Sequence, residues 1–532
     1  MLWMRTLLFG AGLVFLTFDA DPRLTAEGQQ TAASPPTLHV TSNLVFLDVT
    51  VLDRQGRPVV TGLTENDFTI TEGTTPRRIF SFDPPTTGEK TANKPPPATI
   101  FVLDLLNTPL EDSGFLRDSM RRYLSLQSDQ LDSPTELMVL GDNSLDMVQA
   151  YTRSRAKLMY ALNHVPAALP YKLGGKWGEE RLSRAIEALQ QIALQNKSLP
   201  GRKNIVWMGY GGPSLPEDPG DPKDAKDMRF YAHETTNMLV NARMCLFLIY
   251  PGLKGGGNSD AFRIGSNPTI SMGDDIGGDP FAGSINFGLF VRGTGGLFFH
   301  DRNDTDGEIR EAQKLGSNYY TLTYQPAVGE ADGKFRKVDV RLRDPRLRVM
   351  TKTGYYAPEE ATATNPSPQP VNAMDEISEA AQSSIGFDTL GLSIVKVVRH
   401  PDTNTAEVAV LLKSANLRWQ PTNDGRSGAN VTVAAVSLSG SRDILASRLE
   451  RLTVLSNGQD AAHLAQSNTL MTITLPVPRQ TKSVRVVIRT DDGGQVGTAE
   501  LDHKSLQTAD ESPTPPPYLL KRPPPAILTP QP

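Results

Sequence analysis

The chain has 532 residues, too many for one ordinary core and enough for about three domains. Hydrophobic residues make up 38% and charged residues 21%, the balance of a globular protein rather than a disordered or fibrous one. Lys and Arg number 54 against 59 Asp and Glu, and a net charge of -5 argues against nucleic acid as a partner.

At the amino end, Arg5 precedes an apolar run over residues 6–18 that stops at Asp19 and Asp21. The run is too short to span a bilayer and has the charge order of a secretory signal peptide, with Ala20 and Ala26 as candidate cleavage points. Residues 1–26 are therefore expected to be removed on export to the periplasm, the cell envelope or the medium, leaving no membrane span. No cysteine follows the run, so lipid attachment there has no acceptor. The single cysteine, Cys245, lies in "MCLFLIY"; it cannot form an internal disulfide and reads as a small buried hydrophobe.

Within 38–85, "LVFLDVTVLDRQGRPVV" and "DFTITEGTTPRRIFSF" alternate apolar and polar positions around turns, the signal of half-buried antiparallel strands. Two or three such strands are too few to stand alone. Beyond a Pro-rich linker the grammar changes over 97–316 to apolar strands at 99–105, 136–141, 203–209, 244–250 and 296–300, separated by amphipathic stretches. The clearest helices are "GEERLSRAIEALQQIALQ" and "DTDGEIREAQKLG", the latter with Asp304 and Thr305 as N-cap candidates and Gly316 as its stop. Strand and helix in alternation predict a doubly wound α/β domain with a parallel-rich sheet.

Period two returns over 317–358 in "NYYTLTYQP" and "FRKVDVRLR". These strands are expected to complete the orphan hairpins of 38–85, which makes the α/β domain an insertion in a discontinuous β domain. Residues 359–385 read as a linker, 386–505 as a C-terminal β-sandwich of short strands, and 506–532 as a Pro-rich tail.

The first strand of the α/β domain, "ATIFVLD", ends in Asp104, where ligands of open α/β sheets gather. That carboxylate is either a site residue or a holder of the strand-to-helix turn. Asn107, Thr108 and Pro109 suit a turn and a helix start. His233 and Glu234 in "HETTN" resemble half of a zinc-protease helix, but Asn237 stands where the second histidine is needed, so a solvated polar helix face is expected. "GYGGPS", with Ser214, does not fit a hydrolase elbow. No nucleophile, base and orienting group can be named together, so the chain is not expected to be an enzyme. The Gly-rich stretch over 252–284 is expected to serve partner capture.

The order "ATIFVLDLLNTPLED", "AYTRSRAKLMYAL" and "PGRKNIVWMGYGG" resembles a von Willebrand factor A-like (VWA-like) domain. With "FLDVTVLDRQGRPVVTGLTENDFTITEG" before it and "GTGGLFFHDRNDTDGEI", "YYTLTYQP" and "KTGYYAP" after it, the stretch 38–358 resembles the VWFA-related family described mainly from Acidobacteria. The resemblance implies a metal-ion-dependent adhesion site built from Asp-x-Ser-x-Ser, a loop threonine and a second aspartate. Carried over, Asp104, Thr108 and Thr152 are the metal-ligand candidates. Leu106 stands where the first serine belongs, and Trp207 to Gly212 stand where Thr-Asp-Gly is expected, with Asn107, Glu217 or Asp218 as substitutes. A Mg²⁺ ion with half its oxygen ligands gone binds weakly, so the adhesion site reads as degenerate and no cofactor is expected beyond weak Mg²⁺ or another divalent cation.

The function this implies is that of an exported VWA-like module for protein binding or adhesion in the cell envelope or outside the cell. Its partner is an unidentified protein or envelope component. The alternative is a purely architectural envelope component without a dedicated ligand site.

Overall fold

The computed structural model describes residues 44–85, 97–142, 144–166, 178–197, 199–212, 222–251, 286–300, 302, 304–326, 333–357, 373–387, 389–417, 419–422, 426–455, 468–491, 494–512 and 527–529, the side chains of 222–228, 375 and 527–529 excepted. The expected signal segment, the Gly-rich stretch 252–284, and Ser214, Glu217 and Asp218 lie outside the described residues.

The chain lays down β1 (Val45–Leu52), β2 (Phe68–Glu72), β3 (Thr75–Arg77) and β4 (Ile79–Asp83). The α/β part follows as β5 (Ala98–Asp104), α1 (Leu110–Ser125), β6 (Gln130–Leu140), β7 (Leu145–Ser154), α2 (Arg155–His164) and α3 (Gly178–Asn196). It continues through β8 (Lys203–Met208), α4 (Pro222–Asn241), β9 (Met244–Ile249), α5 (Gly288–Gly293), β10 (Phe298–Phe299) and α6 (Thr305–Ser317). Then come β11 (Tyr320–Tyr324), β12 (Phe335–Leu342), β13 (Arg348–Met350) and β14 (Gly354–Tyr356).

One six-stranded sheet runs β10-β9-β8-β5-β6-β7, parallel except for β7. Alternate residues of β5 serve opposite cores, which is why its sequence is apolar throughout rather than alternating. Ile100 and Val102 face α3, α4 and α5, while Phe101 and Leu103 face α1, α2 and α6. Strand β7 was not expected, because "LDMVQAYTRS" has neither an apolar run nor a clean alternation. Helix α6 begins after Asp304, one of its two N-cap candidates, but Gly316 is no stop signal: the helix runs to Ser317. A Cβ on Gly316 would lie 2.5 Å from the Asn204 side chain, so glycine is there to let α6 close on β8.

Strands from both sides of the α/β part share sheets. β1 pairs with β11 and β13, β11 with β4, and β12 with β2 and β14. Leu47, Val49, Phe68 and Ile70 thereby meet Tyr320, Leu322, Tyr324 and Val338 in one core that neither group of strands closes by itself.

The expected linker is corrected in part: Ala373–Gln382 is a helix, α7. Its Ile377, Ala380 and Ala381 recur at helical spacing and pack into the same core as α3, so this stretch docks rather than links. Beyond it, β15 (Leu392–His400), β16 (Thr405–Lys413), β17 (Gln420–Pro421), β18 (Ser427–Leu438), β19 (Ile444–Leu455), β20 (Asn468–Pro476), β21 (Ser483–Thr490) and β22 (Val496–Asp502) form two sheets. Val408, Val410 and Ile473 of one face Val431, Val433, Val486 and Ile488 of the other. Two stretches of the expected tail are strands: β23 (Asp510–Glu511) lies along β15 and β24 (Ile527–Thr529) along β20.

Candidate functional site

The chain turns sharply after β5 because Leu105 and Leu106 both donate their amides to Leu140 O, at 2.9 and 3.1 Å. The turn sends the Leu106 side chain into the core beside Leu182 and Trp207. It leaves Asp104 only 1% exposed, facing inward.

Asp104 is the hub of a closed hydrogen-bond network. Its Oδ1 accepts from Asn107 N at 2.9 Å, and its Oδ2 accepts from Trp207 Nε1 at 3.1 Å and Gly211 N at 2.9 Å. Asn107 Nδ2 donates to both oxygens at 3.2 Å. Burial pushes the carboxyl above its usual value, and the N–H donors offset part of that rise. Arg181, in the first turn of α3, is itself buried; burial lowers its pKa and the charge of Asp104 acts in the opposite direction.

Thr108 does not cap α1. Its Oγ1 accepts from Tyr210 N at 3.2 Å and so ties the β5 turn to the loop after β8. That approach requires Gly209, whose φ is +145° and whose hypothetical Cβ would lie 2.4 Å from Thr108 Oγ1 and 2.6 Å from Asp104 Cβ. Gly209→Ala is expected to cost about 1–3 kcal/mol through backbone strain alone. Urea unfolding checks this, and an unchanged midpoint would contradict the close approach.

Thr152 is corrected outright: it does not join this site. "AYTRS" is strand, not loop, and the sheet register aligns Thr152 with Thr135 and Thr99, whereas Asp104 aligns with Leu140 and Leu145. Five residues at about 3.3 Å each separate the two positions by roughly 16 Å along the sheet. The Thr152 hydroxyl accepts from Ser154 N at 3.1 Å, a local bond before α2.

The donor set at Asp104 does not fit an octahedral cation. Both carboxylate oxygens face N–H groups, Leu106 offers no oxygen, Thr152 is remote, and Gly209 fills the space beside Thr108. Asn107 Oδ1 is a buried oxygen without a partner among the described residues, and one such atom is too few. The described residues hold no group of three or more His, Cys, Asp or Glu side chains placed for a metal.

What occupies the carboxyl edge of the sheet instead is aromatic. Tyr210 after β8, Tyr250 after β9, and Phe298 and His300 at β10 are all half-buried. Their rings follow one another at 4.5, 6.1 and 4.9 Å between centroids. Tyr210 is fixed by donating its hydroxyl to Asp112 Oδ2 at 2.6 Å. Sequence reasoning missed this row, and it missed Trp207, Gly211 and Arg181 as partners of Asp104.

The "HETTN" face is not solvated. His233 stacks on Tyr356 at 3.9 Å, and Asn237 exchanges two hydrogen bonds with the Tyr356 backbone, at 2.9 and 3.0 Å. The missing second histidine is thus an anchor for β14. Cys245 is buried within β9, as expected.

No family model and no curated protein matches this chain. Among solved structures, proximal thread matrix protein 1 from the mussel byssus is similar at 10% identity, over 44% of this chain and 48% of that one, with a TM-score of 0.23. This chain thus spans about half of that protein's length. The SpRpn10 VWA domain is similar at 16% identity over 31% of this chain and 78% of that one, TM-score 0.18. Manganese-loaded Plasmodium vivax TRAP protein is similar at 9% identity over 48% of this chain and 93% of that one, TM-score 0.25. Such scores carry no weight alone; the description of the α/β part as doubly wound rests on its own strand order.

Proposed function

We propose that the chain is an exported VWA-like binding module that engages a protein or envelope partner through the carboxyl edge of its α/β sheet, without a metal ion. The α/β part is read as an insertion in a discontinuous β domain, followed by a β-sandwich. The observation that carries the binding reading is the aromatic row Tyr210, Tyr250, Phe298 and His300, half-buried at the ends of three adjacent strands. Aromatic side chains on a rigid edge present large contact area at little entropic cost. Asp104 and Thr108 serve inside that edge as its scaffold, and the adhesion site is degenerate.

The architectural alternative draws on α7, whose buried Glu376 pairs with Lys197 just after α3 and Arg489 of β21 and ties the C-terminal sheets to the α/β part. The two readings part in one experiment: capture of partners from envelope extract by the full chain, in Mg²⁺ and in EDTA, beside Tyr210→Ser/Tyr250→Ser. The binding reading expects a specific partner retained equally in Mg²⁺ and EDTA. It also expects that partner to be weakened about thirtyfold or more by the tyrosine changes, the size of an interface anchor. Added Mg²⁺ is expected to leave the thermal midpoint unchanged, since a ligand stabilises only as [L] approaches its Kd. Capture lost in EDTA would revive the metal site, and capture indifferent to both changes would favour architecture.

A further inference from the structure

At the opposite side of the α/β sheet, the β strands and the α/β part meet over a cleft with ≈ 20 Å³ of room for water. Phe46 and Asp48 of β1 line it, with Arg202 before β8, Arg243 before β9, Cys245 within β9, and Thr351 and Lys352 before β14. We propose that this cleft is a binding site for one small monovalent inorganic anion of halide size, held by Lys352, Arg243, Arg202 and the Thr351 hydroxyl.

Three cations share the cleft with one lining carboxylate. Asp48 is already engaged: Arg243 Nε donates to its Oδ2 at 3.1 Å, and Thr321 Oγ1 to its Oδ1 at 3.0 Å. Burial raises the Asp48 carboxyl, but Arg243, Arg202 and Thr321 outweigh it and hold the group ionised. Arg202 is 2% exposed; it donates to Asn204 Oδ1 at 3.0 Å and lies over the Tyr319 ring. Lys352 makes no hydrogen bond to another described residue, although it feels the charges of Asp48 and Arg243. Two positive charges are therefore unmatched in a half-enclosed space, with the exposed Asp83 as a further, outlying carboxylate near Arg243.

Burial pushes Lys352 down to about 8, because the attraction of Asp48, partly cancelled by the repulsion of Arg243, does not replace the hydration it has lost. An anion beside the ammonium would replace part of it. The Thr351 hydroxyl oxygen is buried and without a partner among the described residues, a donor waiting for an acceptor. The room available, ≈ 20 Å³ for the centre of a water-sized sphere, is enough for a compact anion such as a halide. Bound there, the anion would cross-link β1 and the β13–β14 turn to β9, since Gly295 already brings its backbone against Thr351 and Lys352.

The test uses the full chain at neutral pH and fixed ionic strength, with chloride or bromide replacing gluconate, an anion too large for the cleft. A saturating rise in thermal midpoint with either halide is expected, with the apparent Kd weakened at least tenfold in Lys352→Met and less in Thr351→Val. Bromide soaked into crystals of the unaltered protein is expected to give an anomalous peak between Lys352 and Arg243. This last measurement needs no variant and stands if Lys352→Met fails to fold. No saturating response and no peak, or equal responses in the unaltered protein and both variants, would overturn the site.

Discussion

Asp104→Ala is expected to lower stability by about 3–5 kcal/mol, the range for removing one member of a buried charged network. The change deletes the acceptor of four N–H groups, on Asn107, Trp207 and Gly211, all within the described core. It also strips the buried Arg181 of the nearby negative charge that favours its guanidinium. Asp104→Asn keeps the shape and one acceptor oxygen but turns an amide toward facing donors, so a smaller loss of about 1–3 kcal/mol is expected. Urea titration followed by far-ultraviolet dichroism measures both. A loss below about 1 kcal/mol for the alanine variant would show that water enters and accepts from those donors.

The same carboxyl carries a pH signature. Its folded pKa lies above 3.8, so between that value and the raised one the folded state holds more proton than the unfolded state. The extra stability that the protonated form supplies is therefore fully present below 3.8 and is lost as pH rises through the folded value, while the hydrogen bonds to the carboxyl remain. The unaltered protein should lose stability relative to Asp104→Ala on raising the pH through that window. An ion-paired carboxylate, with a lowered pKa, would give the opposite slope.

Asp104 was legible because an apolar run that ends in a carboxylate has few explanations in a doubly wound sheet. Its partners were not. Trp207 is 103 positions away in the sequence, and nothing in "VWMGYGG" shows an indole N–H aimed at a carboxylate. Thr152 failed for a different reason: a motif carried over from a resemblance fixes residue type but not register. Here an antiparallel strand stands where a loop was assumed. The pairing of 38–85 with 317–358 was legible, because too few strands on either side could hide their apolar faces. Helix α7 was readable in principle from Ile377, Ala380 and Ala381, but the Pro-rich residues just before it drew the whole stretch into a linker.

Glu376→Ala is expected to cost about 3 kcal/mol and to split what otherwise unfolds together. The Glu376 side chain is 2% exposed and meets two cations, Lys197 at the end of α3 and Arg489 of β21, the latter at 2.6 Å. Lys197 is 49% exposed, so water screens its loss and little of the effect comes from it. Arg489 is 14% exposed and would be left buried with one hydrogen bond, to Thr490 O. Alanine leaves the apolar side of α7 intact, so Ile377, Ala380 and Ala381 still pack, but the helix no longer joins α3 to β21 by charge. Hydrogen exchange read by mass spectrometry is the direct measurement: amides of α7 and β21 should exchange sooner relative to those of β5 and β8 in the variant than in the unaltered protein. Glu376→Gln keeps an acceptor for Arg489 without the charge and should fall between the two. If α7 stays as protected in the alanine variant as in the unaltered chain, apolar packing alone holds the C-terminal sheets on the α/β part, and the ion pairs only choose the angle at which they dock.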